Sequence, residues 1–537
     1  MPSSGDSQSA IRQNPQGALN RALGVLSLGD RTKALVLCQQ IIKALPNFAD
    51  AWLLMCQLQL DLQRPDRALE CADRALSLQP DSLKAQLLRT ESLVADGRHD
   101  TAREALQRLE SSTPLTALTL RLVGNLYASL DQYQDAARFF EQSLALDETN
   151  VECWNLYCGV LIAQGSFEEA DRALGRVLLL NPHHGEALLT RANMRLQTTE
   201  HNHVEQLKSA LTSPGIDPLH AVMIHYALAK ELEDIGDYPA SFNILQRGAE
   251  LRAQSINYQV ERDEAFMAGV TQRFERTLSH TPANNELGSG IIFIASLPRA
   301  GSTLADRIVA SHSQAESLGE TDAFHLAVLE HARRASAANR MTFVDALEKM
   351  DYLALGKTYL QKIQRGSHNN KVVIDKTPNN IQYLGLIHKA LPQAKIIHVY
   401  KNPMDACFSV FRTHFSRGYG YANNLETLGR YYVAYTRMMA YWSTALPATL
   451  LNLSYEQLVD DLENHSRKLL QHAELDWQAQ CLDFHLNASP TATASVVQVR
   501  QPLFRSSLHR WRHYEQQLSP LAAILRDAGI QYDQPSG

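Results

Sequence analysis

Ile291-Ile-Phe-Ile-Ala-Ser-Leu-Pro-Arg-Ala-Gly-Ser-Thr-Leu304 is the stretch that decides the fold of the second half of this chain. Its short apolar run reads as a buried strand. Pro298-Arg299-Ala300-Gly301-Ser302-Thr303 then reads as a tight loop, and a helical pattern starts at Leu304. Strand, glycine-containing turn and helix start together form a seat for an anion. The N–H groups of the turn and of the first helical residues converge, and the helix dipole favours negative charge there. Gly301 allows close backbone approach, while Ser302 and Thr303 add hydroxyl donors. The alternative is a strand-to-helix turn that binds nothing.

The loop departs from a Walker motif, which places a lysine after the second glycine. Here the basic residue is Arg299, ahead of Gly301, and no lysine follows. In that order the loop resembles the 5′-phosphosulfate loop of sulfotransferases that use 3′-phosphoadenosine 5′-phosphosulfate (PAPS).

The first half has a different grammar. Ala34, Ala68, Ala102, Ala136 and Ala170 are spaced 34 residues apart. Pro46, Pro80, Pro114 and Pro182 keep the same register, with Glu148 at the missing step. Trp52 and Trp154 share one phase, and Gly29, Gly97 and Gly165 another. A period of 34 with these residue types resembles the tetratricopeptide repeat (TPR). The alanine lets the second helix of a pair approach the first; the glycine ends the first helix and the proline the second. Residues 15–182 are expected to be about five repeats after a disordered start at 1–14. Residues 183–280 read as degenerate repeat-like helices and a linker, and 281–537 as the second domain. Such arrays offer a concave face to a protein or peptide, here an acceptor or partner; the alternative is a rigid spacer.

At 537 residues the chain is too long for a single ordinary core. Its 45% hydrophobic and 20% charged residues are those of a globular protein. A net charge of −6 argues against general nucleic-acid binding. Seven scattered cysteines without a Cys-x-x-Cys pair fit a reducing compartment. No apolar run approaches the roughly 20 residues that span a bilayer, and Met1-Pro-Ser-Ser-Gly-Asp-Ser-Gln has no leader pattern. No membrane association and a cytoplasmic location are therefore expected.

Past Leu304, helical text (304–310, 322–337, 405–415, 425–445) alternates with short apolar strands (372–374, 396–399, 449–453). That alternation predicts an α/β domain with a mainly parallel sheet behind the all-α solenoid. Ligands then bind beyond the carboxyl ends of the strands, where Arg299, Asp375-Lys376 and Lys401 fall. From about Gly290 to Leu518 the chain resembles the sulfotransferase fold, and is most similar to bacterial TPR-linked sulfotransferases and tyrosylprotein sulfotransferase.

The resemblance implies roles. Glu320, in Gly319-Glu320, matches the general base, and Lys376, in Asp375-Lys376-Thr377-Pro378, the lysine that stabilises the transition state. Arg299, Ala300, Gly301, Ser302 and Thr303 would hold the 5′-phosphosulfate. Lys401 and Ser409 match the 3′-phosphate pair, although the family usually has arginine where Lys401 stands. The family's second basic position falls on Thr413, and Arg412 beside it is either a substitute or an exposed helix charge. Tyr455 matches an aromatic near the adenine. In Ser495-Val-Val-Gln498-Val-Arg-Gln-Pro502 and the later Arg510-Trp511, Ser495 matches a serine assisting the transition state. Gln498 and Arg510 match nucleotide contacts. PAPS is thus the implied co-substrate, with an acceptor hydroxyl such as a protein tyrosine, a carbohydrate or a phenol. No His-Glu-x-x-His, Cys/His cluster or Walker acidic pair is visible, so no metal is expected. The other readings are a P-loop kinase, and a TPR scaffold whose nucleotide-binding domain is catalytically weak.

Overall fold

A computed structural model describes residues 4–110, 115–277, 286–339, 343–364, 371–487 and 508–533. The chain forms two compact units, Met1–Val160 and Leu161–Gly537.

The first unit is a series of antiparallel helix pairs: Pro15–Ser27 with Arg31–Ala44, Ala49–Asp61 with Pro65–Leu78, Leu83–Ala95 with His99–Glu110, and Ala117–Ser129 with Tyr133–Leu146. Ala34, Ala68, Ala102 and Ala136 are each the fourth residue of a second helix, and each is 0% exposed. Ala170 holds the same place in Phe167–Leu180, also at 0%. A larger side chain there would meet the facing helix, which explains why the alanine recurs.

Two further positions keep the period in geometry where the residue type changes. Gly29, Gly97 and Gly165 have φ of 85°, 77° and 85°. Gln63 and Asp131, at the intervening steps, are left-handed too, at 54° and 57°. Trp52 Nε1 donates to Pro46 O (2.8 Å) and Trp154 Nε1 to Glu148 O (2.9 Å). Gln86, in the same phase, donates from Nε2 to Pro80 O (3.2 Å). Residues 4–13, expected to be disordered, form a helix. Ile11 is buried at 6% exposure, and Arg12 Nε donates to Ala44 O (3.3 Å), which ties this helix to the first pair.

In the second unit, five parallel strands form one sheet in the order β2-β3-β1-β4-β5. They are β1 Ile291–Ser296, β2 Ala315–Ser317, β3 Val372–Asp375, β4 Lys395–Tyr400 and β5 Leu450–Ser454. Every residue of β1 is buried, as a central parallel strand covered on both faces requires. Ile291, Phe293 and Ala295 face one core, with Phe274, Phe411 and Trp442 in it. Ile292 and Ile294 face the other, with Leu304, Ile308 and Leu469. Helices Pro218–Asp234, Tyr238–Ser255 and Val260–Thr277 contribute Tyr226, Phe242 and Phe274 to the first core. The helix expected over 405–415 runs from Pro403 to Phe411. Pro403 starts it early, and Arg412 caps it before Gly418 and Tyr419, both at positive φ. The three-residue β2 was too short for its pattern to be seen.

The left-handed turns generate a prediction. An L-residue in that region costs roughly 1–2 kcal/mol, part of which glycine's extra chain entropy offsets. Gln63→Gly should therefore stabilise the chain by about 0.5–1 kcal/mol, read as a higher urea midpoint at unchanged slope. A lower midpoint would show that this turn carries no backbone strain.

Candidate active site

Parallel strands deliver their carboxyl ends to one rim. Because β1 lies between β3 and β4, the loop after β1 is flanked by Lys376, just past β3, and by Lys401, just past β4. Arg299 in this loop adopts φ 66° and Gly301 φ 102°. Helix Ser302–Ala310 starts immediately after Gly301, and its first N–H groups have no intrahelical carbonyl to reach. Ser302 and Thr303 are buried, at 5% and 6% exposure. A Cβ on Gly301 would overlap the ring edge of Tyr455, so the aromatic after β5 lies directly against the loop. The Lys401 ammonium lies over the same ring, 5.2 Å from its centroid. The loop, Lys401 and Tyr455 are therefore together.

Lys376 Nζ donates to Glu320 Oε1 at 2.5 Å, with the lysine side chain 0% exposed and the glutamate 45%. Residues 56 positions apart meet because the two loops are stitched together. Leu318 N donates to Ile374 O (2.8 Å) and Lys376 N to Gly319 O (3.0 Å). Thr321 N donates to Thr377 Oγ1 (3.1 Å), and that hydroxyl lies 2.8 Å from Thr321 O. An ammonium taken wholly out of water costs several kcal/mol unless it is paired, so this ion pair is obligatory for the lysine.

Two buried acids lie near it: Asp375, which the sequence placed on the rim without a role, and Asp306, which it did not single out. Asp375 is 0% exposed and accepts from Tyr359 Oη (3.1 Å) and Asn380 Nδ2 (3.0 Å), with Thr377 Oγ1 at 2.7 Å. Burial pushes its carboxyl up to about 7, against the pull of those bonds and of Lys376. Asp306, in the helix after the loop, is 3% exposed, and its Oδ1 has no hydrogen-bond partner among the described residues. Burial raises its pKa, opposed chiefly by the charge of Lys376.

Positive charge accumulates on the other side. Burial, reinforced by Arg412 and Arg510, pushes the Arg299 guanidinium down to about 10, while Tyr455 and Glu320 oppose this. Lys401 is 5% exposed, and burial lowers it too, against Asp405 and Glu456 and with Arg299 and Arg510 adding to the fall. Arg412 and Arg510 therefore lie near Arg299, and Arg299 and Arg510 near Lys401. Asp405, 1% exposed, accepts from His509 N at 2.7 Å, which secures the backbone just ahead of Arg510 to the helix after β4. Glu456 Oε1 accepts from Asn402 N (2.8 Å) and ties the ends of β4 and β5. Asn402 in turn caps that helix through Met404 N (3.0 Å). Ser409 lies half-buried in the same helix. Ser495 and Gln498 lie outside the described residues.

Chemically, the rim offers a half-exposed carboxylate touching a buried ammonium, beside a loop of convergent N–H groups and a cluster of cations. That donor set fits a ligand with several separated anionic groups.

Residues 291–479 match the model of the Sulfotransferase family. Residues 25–89 and 127–194 match one tetratricopeptide repeat model, and 87–151 another. An uncharacterised protein of Aquifex aeolicus (strain VF5) is 28% identical over 389 residues, covering 70% of this chain and 50% of its own length. Anaphase-promoting complex subunit 7 of Dictyostelium discoideum is 26% identical over 245 residues, 42% of this chain and 41% of its own. The chain thus spans half or less of the length of these curated relatives. Among solved structures, the sulfotransferase domain of the Synechococcus PCC 7002 olefin synthase is 18% identical. It aligns over 48% of this chain and 99% of its own with a TM-score of 0.30. A thermophilic TPR protein of Thermus thermophilus is 23% identical over 33% of this chain and 96% of its own, with a TM-score of 0.31.

The contact between Gly301 and Tyr455 is testable through stability. Gly301→Ala combines left-handed strain with the overlap on the ring, and should cost about 2–4 kcal/mol. Gly418→Ala, at φ 68° with nothing within 4 Å, carries the strain alone and should cost about 1–2 kcal/mol. Equal losses in thermal unfolding would show that Tyr455 does not press on the loop.

Proposed function

We propose, for a chain that carries a sulfotransferase-family domain behind tetratricopeptide repeats, that it moves a sulfuryl group from PAPS to an acceptor hydroxyl. The observation that carries this reading is the 2.5 Å pair of Lys376 and Glu320 beside the Arg299 loop. Arg299 and the N–H groups of Gly301, Ser302 and Thr303 take the 5′-phosphosulfate. Lys401 and Ser409 take the 3′-phosphate, which separates PAPS from ATP, and Tyr455 lies where the adenine would meet an aromatic face.

Glu320, being half-exposed, is within reach of an acceptor while Lys376 is not. Glu320 takes the hydroxyl proton as the acceptor oxygen forms its bond to sulfur. The bond from sulfur to the bridging phosphate oxygen breaks, and its electron pair leaves with 3′-phosphoadenosine 5′-phosphate. Lys376 offsets the charge growing on that oxygen. The ammonium paired with Glu320 before reaction is thus positioned to swing its charge toward the leaving group as Glu320 takes the proton. Ser495, by resemblance, assists the same charge, while Gln498 and Arg510 contact the nucleotide. A protein tyrosine is the acceptor proposed, with the TPR array holding the acceptor or a partner protein. TPR proteins bind extended segments, which supports this assignment.

Glu320→Gln should lower transfer of labelled sulfate from PAPS to tyrosine peptides by roughly a hundred- to ten-thousand-fold. Binding of 3′-phosphoadenosine 5′-phosphate should change no more than a few-fold. Transfer at the wild-type rate would remove Glu320 as the base.

A further inference from the structure

Glu233 stands in the last turn of helix Pro218–Asp234, outside the residues matched by the sulfotransferase and repeat models. Its Oε2 lies 3.0 Å from Arg412 Nη2 and its Oε1 3.0 Å from Arg510 Nη1. The carboxylate is 9% exposed and the two arginines 22% and 29%. One nearly buried carboxylate therefore joins guanidiniums from two separate elements, the end of helix Pro403–Phe411 and the start of the Arg510–Tyr514 turn. Both arginines bear on Arg299, and Arg510 bears on Lys401 as well. Left to themselves, like charges so close would splay toward water. A carboxylate that binds one nitrogen of each guanidinium tethers both heads to one point.

We propose that Glu233 is a positioning residue for recognition of the donor's 3′-phosphate, acting through Arg412 and Arg510. The proposal rests on the PAPS reading above. Lys401 contributes a point charge where the bidentate fork of an arginine would be stronger, and Thr413 contributes no charge. Arg412, held by Glu233, supplies the missing fork. It is therefore not the exposed helix charge that was the alternative. The carboxylate that orients it comes from a helix preceding the sheet, so the segment 218–255 is part of the nucleotide site as well as of the core.

Calorimetry on the full chain with 3′-phosphoadenosine 5′-phosphate and with AMP tests this, since the two differ at the 3′-phosphate. Glu233→Gln should weaken the bisphosphate at least tenfold and leave AMP within twofold, collapsing the preference between them. Glu233→Asp keeps the charge but loses the reach to span both arginines, so it should behave like Glu233→Gln. Arg412→Gln should cost little more in the Glu233→Gln background than the single change. An unchanged ratio of the two affinities would overturn the proposal. So would equal weakening of both ligands, which marks a general structural loss. Tighter bisphosphate binding would also overturn it, because Glu233 would then be competing with the phosphate. If the wild-type chain bound neither nucleotide, the PAPS reading would fail first and this inference with it.

Discussion

Four cations gathered around one loop, Lys401 buried and three arginines partly so, are the constraint from which the rest of the second unit follows. Arg299 and Lys401 are both depressed by burial and by their basic neighbours. A cluster of that kind is stable only with anions beside it. The chain supplies some of its own: Glu233 on Arg412 and Arg510, and Asp405 and Glu456 near Lys401. The parallel sheet is what makes the concentration possible, because all five strands end on the same rim and β1 is flanked on both sides. Lys376, Lys401 and Tyr455 each stand just past a strand end.

The Lys376–Glu320 pair shows how such a site trades stability against chemistry. A fully buried ammonium depends on a carboxylate that is itself open to solvent. Removing Glu320 leaves a buried ammonium without its ion-pair partner, which costs more than the pair contributes, whereas removing Lys376 leaves a carboxylate that water can reach. The same exposure leaves the carboxylate open to solvent and to whatever molecule enters the rim. The hydrogen bonds from Leu318, Lys376 and Thr321 hold the two loops in register, so the pair is preorganised by backbone and needs no side-chain rearrangement to form.

Much of this was legible in the sequence because it lies in local patterns. The 34-residue period appeared through its alanines, and the β1 loop through the change from apolar run to Pro298-Arg299-Ala300-Gly301. Lys376 and Lys401 were singled out by their place after apolar strands, Glu320 and Tyr455 through the resemblance of their motifs. What stayed hidden was long-range or backbone-encoded. Glu233 is one acid on an ordinary amphipathic helix, and only tertiary packing brings it to Arg412 and Arg510. Asp405 and Asp375 look like solvated loop acids until their burial is known. Gln63 and Asp131 keep the left-handed turn of the repeat, and Gln86 keeps the tryptophan's hydrogen bond, in residue types that break the sequence register.

Diffraction from crystals of the full chain soaked with 3′-phosphoadenosine 5′-phosphate tests the central claim most directly. The nucleotide should lie along the rim, its 5′-phosphate on the N–H groups of Gly301, Ser302 and Thr303 with Arg299 beside it. Its 3′-phosphate should sit within hydrogen-bond reach of Lys401 and Arg412. Nucleotide density elsewhere on the molecule, with Arg299 and Lys401 making no contact to it, would contradict the assignment of this rim as the donor site.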